Sequence, residues 1–237
     1  AAVDLQSEYG VLIHTHASEN KDEISLVKKR TGRSNVDFLH HLNLLNPRTV
    51  IVHGVHLTGG EVRKMVGTNT KLVHCPSSNL KLASGVAPIA RYLDKGMTVS
   101  LGSDGAPCNN TMDPFMEMRL AALVQKPNFG PESLPAEQAF TMATLGGART
   151  LGMESQLGSL DVGKLADIVV VRGDHPSVAT VENPYSALVY SCSGRDVRDV
   201  FIHGEAVVRN SRSTRFDAEE VIQSAKIELI KLQSRAR

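Results

Sequence analysis

Four short apolar runs, each closing on a residue able to bind a metal or carry a proton, limit what this chain can fold into. VLIHTH ends in His14 and His16, TVIVH in His53, KLVH in His74, and TVSLGSD in Asp104. Runs of this length, rich in Val, Ile and Leu and bounded by Gly, Pro and Asn, predict strands buried on both faces. Parallel strands bring their carboxyl ends to one rim, so side chains far apart in sequence meet there. Imidazoles and a carboxylate on one rim are the donor set of a metal site.

Between these runs the pattern is helical. ENKDEISLVKKR carries Ile24 and Val27 on one face and is predicted to stop at Gly32, and Val36, Leu39 and Leu42 to Leu45 form a second stripe ending at Asn46-Pro47. Thr58 and Glu61 have the spacing of a capping box. CPSSNLKLASG reads as an irregular loop and Pro88 to Lys95 as a short helix. Strand and helix alternate, which predicts a parallel α/β architecture with crossover helices. Helices are predicted again over Asp113–Val124 and Ala136–Ala143, with KPNFGPESLP between them as a loop and Gly146-Gly147 as the exit. From Gly158 the texture changes. LGSLDVGKLADIVVVRGDHP, ENPYSALVYSCSG and DVRDVFIHGEAVV are β-branched runs cut by turn residues and predict a β segment. Ala218 to Leu232 closes with Val221, Ala225, Leu229 and Leu232 at helical spacing, as a docking helix would.

Charge and composition remove several classes. Lys plus Arg number 26 against 25 Asp plus Glu, and with no Trp and 4% aromatics there is no basic stripe interleaved with stacking residues, so nucleic-acid binding is not expected. No apolar run reaches the roughly 18 residues of a membrane span. Cys75, Cys108 and Cys192 are odd in number and unpaired in spacing, which points to reduced thiols and a cytoplasmic setting.

HTHASEN, VHGVHL, HCPSSNLKLASG, GSDGAPCNN and LGSLDVGKLADIVVV, in that order, resemble the amidohydrolase superfamily. Within it the chain is similar to the branch of adenosine-type nucleoside deaminases, with guanine deaminases and triazine hydrolases as relatives. The resemblance implies the C-terminal half of a metal-dependent (β/α)8 barrel: VLIHTH as strand five, TVIVH as six, KLVH as seven and TVSLGSD as eight. Residues 1–155 would be that half-barrel, 156–211 part of a small β-sandwich domain built from both chain ends, and 212–237 a C-terminal helix. The family's His-x-His of strand one has no counterpart here.

The resemblance also implies roles. His16 and Asp104 would hold a divalent metal, most simply zinc, with iron or manganese as alternatives. Asp104 would also take a proton from water, and Glu19, three residues beyond His16, would protonate a ring nitrogen and the leaving amine while touching substrate. His53 would hydrogen-bond the attacking water as a catalytic group, not a ligand. His74 and Asn79 would face substrate. The implied reaction is hydrolysis of the 6-amino group of an adenosine-type nucleoside, and the implied partners are that small molecule and further copies of the same chain. Guanine deamination and s-triazine chlorohydrolysis are the alternative enzymes. A non-catalytic half-barrel that aggregates, binds zinc weakly and needs a partner chain is the alternative outside enzymes. Taken singly, a His at a strand end is more often a hydrogen-bonded structural residue. His14 is read that way, His56 as a loop or helix-entry residue, His40, His41, His175 and His203 as surface or structural residues, and Lys164 as part of a structural signature, while Cys75 and Cys108 are read as packing residues.

Overall fold

A computed structural model describes residues 2–235. A helix the sequence pattern did not announce, α1 (Ala2–Tyr9), leads into β1 (Ile13–Ala17). Then follow α2 (Lys21–Thr31), α3 (Asn35–His41), β2 (Thr49–His53), α4 (Gly59–Gly67), β3 (Lys71–His74), α5 (Pro76–Lys81), α6 (Ile89–Asp94) and β4 (Val99–Leu101). The four strands form one parallel sheet in the order β1-β2-β3-β4, joined through helical crossovers as the alternating pattern predicts.

Burial explains the composition of the strands. Every residue of β2 and β3 is buried, which is why both read as continuous apolar runs, whereas β1 at the sheet edge is half open. Ile51, Leu72 and Val99 pack into the main core with Met65, Ile89, Met118 and Met142, and Val50, Val52, Val73 and Cys75 form a separate small cluster. Helix ends follow local chemistry. Asn20 caps α2 by accepting from the Glu23 N–H, Gly32 ends it in the left-handed conformation at φ 74°, and Thr58 and Glu61 form the expected capping box on α4.

Beyond β4 lie α7 (Ala106–Asn109), α8 (Pro114–Phe129), α9 (Ala136–Ala143) and α10 (Leu145–Leu151). Several expectations are corrected here. Pro76 and Pro107 stand in the first turns of α5 and α7, where a missing N–H costs nothing, so CPSSNLKLASG, read as an irregular loop, opens with a short helix. Helix α8 runs on through Pro127 in its last turn, past the expected end at Val124. Gly146-Gly147 lies inside α10, not at a helix exit. A Cβ on Gly146 would meet the Val99 carbonyl oxygen at 2.9 Å and that of Thr141 at 3.0 Å, so glycine here lets the helix approach β4.

The second sheet is antiparallel, β5 (Ile168–Val171), β6 (Val197–Ile202), β7 (Glu205–Arg209) and β8 (Arg212–Ser213) in sequence order. ENPYSALVYSCSG is not a strand, contrary to its β-branched texture. Asn183 accepts from the Tyr185 and Ser186 N–H groups and Pro184 occupies the first helical position, starting α11 (Pro184–Ser186) and a π-helical turn over Ala187–Ser191. Helix α12 (Ala218–Arg235) forms as expected but docks on nothing among the described residues: none of its residues is buried, and Val221, Ile222, Ile227, Leu229, Ile230 and Leu232 are exposed. No helix among the described residues is long and apolar enough to cross a membrane.

Candidate metal centre and its proton-carrying neighbours

The carboxyl ends of β1 to β4 carry the site. His16 is in register with Val52, and Ala17 with His53, so plain alternation would turn His53 to the face opposite His16. His53 instead has φ 74°, a left-handed backbone rare for a side-chain-bearing residue, and the alternation breaks there. The His16 and His53 ring centres come to 5.3 Å. Asp104, three residues beyond β4, also has φ 60° and faces His16, with Oδ1 3.9 Å from Nε2. Ser18, just past β1, has φ 57°. Strained backbone gathered at three strand ends marks where the fold gives up local stability to aim side chains.

One donor atom from each of His16, His53 and Asp104 lies within 4.8 Å of the others. Two imidazoles and a carboxylate suit zinc or another borderline divalent ion, which fits the chemistry of the residues present. The cluster includes His53, for which the family resemblance implies a catalytic role and not ligation.

His53, Asp104 and Glu19 each have defined hydrogen-bond partners. The Ser78 hydroxyl donates to Asp104 Oδ2 at 2.5 Å. Burial pushes the Asp104 carboxyl up, but the hydrogen bonds from Ser78 and the Gly105 N–H, and the charge available on His53 and His16, hold it below its ordinary value. It is therefore a carboxylate, ready to bind a cation or take a proton. The Asn79 side-chain oxygen accepts from His53 Nδ1 at 2.8 Å, which leaves the lone pair of the neutral ring on Nε2. That nitrogen lies 3.7 Å from Glu19 Oε2, while Glu19 Oε1 accepts from the Ser84 hydroxyl at 3.0 Å. Glu19 thus sits beside the cluster without belonging to it.

The loops that hold these groups are tied together by a buried carboxylate that sequence reasoning does not single out. Glu117 on α8 is 2% exposed; it accepts from the Ser77 N–H at 3.2 Å, the Ser77 hydroxyl and the Asn109 side-chain amide at 2.7 Å. It clamps the segment after β3 to the one after β4. A Glu inside an apolar helical stripe is its only signal.

The remaining expectations sort as follows. His74 is fully buried with neither ring nitrogen hydrogen-bonded among the described residues, and burial first, then the charge on His53, pushes it down to about 3, so it stays neutral. Asn79 orients His53, and its Nδ2 is also buried without a hydrogen-bond partner among the described residues. His14 is exposed on the face it shares with His16, and its titration is lowered by partial burial and by His16. His56 Nε2 lies 2.8 Å from the Ser84 carbonyl oxygen, a loop contact, and Lys164 donates to the Glu154 and Leu157 carbonyls. The Cys75 thiol is buried and pushed up to about 12, by burial and then by Asp104 and Glu117, an inert packing group.

Comparison with known proteins places this geometry in context. The Amidohydrolase family model matches residues 1–207. A 5'-deoxyadenosine deaminase of Methanothermobacter thermautotrophicus is 42% identical over 222 residues, covering 93% of this chain and 52% of the relative. A 5-methylthioadenosine/S-adenosylhomocysteine deaminase of Syntrophobacter fumaroxidans is 40% identical over 221 residues, 93% of this chain and 50% of the relative. The solved structure of an adenosine deaminase from Xanthomonas campestris, with bound zinc, superposes with a TM-score of 0.95 at 30% identity, covering 98% of this chain and 53% of that one. The chain spans about half the length of the curated relatives it matches.

Proposed function

Because the chain belongs to the amidohydrolase family, we propose that the protein carrying this sequence hydrolyses the 6-amino group of an adenosine-type nucleoside to the inosine analogue and ammonia. The observation that carries this reading is the meeting of His16, His53 and Asp104 within 4.8 Å, with the Glu19 carboxyl 3.7 Å from His53. The names of relatives at 42% and 40% identity support the substrate class, and the zinc in the similar adenosine deaminase supports the metal. In this reading residues 1–155 contribute strands five to eight of a (β/α)8 barrel, 156–211 part of a small β-domain and 212–237 the C-terminal helix. The three free thiols are in keeping with a reducing, cytoplasmic setting.

His16 and Asp104 would hold the ion, with His53 beside them. A divalent cation held there lowers the pKa of water by several units, toward about 7 in favourable zinc sites. The protein's own groups do the rest. Asp104, kept ionised by Ser78 and Gly105, accepts the proton of the attacking water. His53, its Nδ1 committed to Asn79, accepts a hydrogen bond from the same water through Nε2, and from the hydroxyl of the tetrahedral carbon that follows. Glu19 protonates the purine ring nitrogen as water adds, takes back a proton from the new C6 hydroxyl and delivers it to the departing amine, and the proton that Asp104 took from water then returns to Glu19, so that one carboxyl serves both transfers. His74 and the Nδ2 of Asn79 are buried and unbonded, and polar atoms of a bound purine or a trapped water would satisfy them.

A substrate panel tests the class. The protein is offered 5'-deoxyadenosine, methylthioadenosine, S-adenosylhomocysteine, adenosine, guanine and a chlorotriazine, and ammonia and product are followed. The expected result is kcat/KM at least about 100-fold higher for the 6-aminopurine nucleosides than for guanine or the triazine. Turnover confined to the last two would replace this reading.

A further inference from the structure

A second cluster of ligand-type side chains lies outside the site above, on the connection into β6. His175 is in the loop after β5, Cys192 follows the π-helical turn, and Asp196 ends the turn that starts β6. One donor atom from each lies within 4.8 Å of the others. His175 Nε2 is 3.5 Å from Asp196 Oδ1, and that nitrogen is buried with no hydrogen-bond partner among the described residues. The other carboxylate oxygen is occupied: Asp196 Oδ2 accepts from the Ser193 N–H at 2.7 Å and the Ser193 hydroxyl at 3.0 Å. This orients Oδ1 toward the histidine. Cys192 is 1% exposed, and its backbone is pinned by Arg119, whose Nη2 donates to the Cys192 carbonyl at 2.7 Å.

We propose that His175, Cys192 and Asp196 form a second divalent-cation site, of zinc-like preference, that fastens the loop after β5 to the start of β6. Bonds of about 2.0 to 2.3 Å to a tetrahedral ion put neighbouring donors roughly 3.3 to 3.8 Å apart. The His175–Asp196 separation already falls in that interval, too long for a good hydrogen bond and short enough to bracket an ion. A nitrogen, a sulfur and an oxygen donor together favour a borderline ion such as zinc over magnesium or calcium. With three protein ligands the fourth position would hold water. The thiol is raised, by burial and then by Asp196 against the opposing charge of Arg119, so it must release a proton when it ligates. Binding therefore tightens as pH rises.

Cobalt(II) is the probe, because a thiolate ligand gives an intense near-ultraviolet charge-transfer band that nitrogen and oxygen ligands do not. The 237-residue chain is titrated with cobalt alone, beside Asp104→Asn, which disables the first cluster. The expected result is a sulfur-to-cobalt band in both, absent in Cys192→Ser and retained in Cys75→Ser and Cys108→Ser. His175→Gln, which keeps the thiol, is expected to weaken cobalt binding at least about tenfold, so the result does not rest on Cys192→Ser folding. No band in the unaltered chain at saturating cobalt overturns the proposal. A band that survives Cys192→Ser, or a His175→Gln affinity equal to the unaltered chain's, does the same.

Discussion

Replacing Asp104 with asparagine is expected to cut turnover of a 6-aminopurine nucleoside by about 10⁴-fold or more. Two functions leave together. Asparagine is a poor ligand for zinc and accepts no proton from water, whereas the carboxylate is held ionised by the Ser78 hydroxyl and the Gly105 N–H. The fold should survive, since the amide oxygen of the substituted side chain can still accept from Ser78. Metal content and activity should therefore fall together while the circular dichroism spectrum is unchanged. Asp104→Asn with full metal content and more than a tenth of normal activity would remove Asp104 from both roles.

Glu19→Gln is expected to lower kcat by about 10² to 10⁴-fold while metal content stays normal. Glu19 touches Ser84 and lies 3.7 Å from His53, but it stands outside the three-residue cluster. Glutamine keeps the Ser84 contact and loses the transferable proton. The leaving group separates the two proton transfers assigned to Glu19: chloride departs without a proton and an amine does not. A 6-chloropurine nucleoside should suffer a smaller loss in Glu19→Gln than the 6-amino substrate. Equal losses on both substrates would confine Glu19 to the ring nitrogen, and loss of metal would make it a ligand.

The parallel sheet was legible because β2 and β3 are buried on both faces and so carry unbroken apolar runs ending in His53 and His74. The end of α2 at Gly32 and the start of α4 at Thr58 and Glu61 were legible because caps act locally. Texture misled where a start signal and β propensity competed. Asn183-Pro184 begins a helical turn that the Val and Tyr of ENPYSALVYSCSG would not suggest. Among the candidate site residues, His16, His53 and Asp104 are legible as strand-end groups, and Glu19 enters only through the family resemblance. The strand-end pattern offers His53 as a metal donor and the family resemblance moves it to catalysis; the left-handed backbone at His53 brings it back within reach of His16 and Asp104. Glu117 and the gathering of His175, Cys192 and Asp196 depend on long-range packing, which no local spacing records.

The most direct measurement is product formation from 5'-deoxyadenosine by the protein carrying this sequence, before and after metal is stripped with a chelator and zinc is returned. The account predicts that stripped protein is silent, that zinc restores turnover, and that ammonia and 5'-deoxyinosine appear in equal amounts. Turnover undiminished by stripping, or a zinc-loaded, folded protein that leaves every 6-aminopurine nucleoside intact, would contradict it.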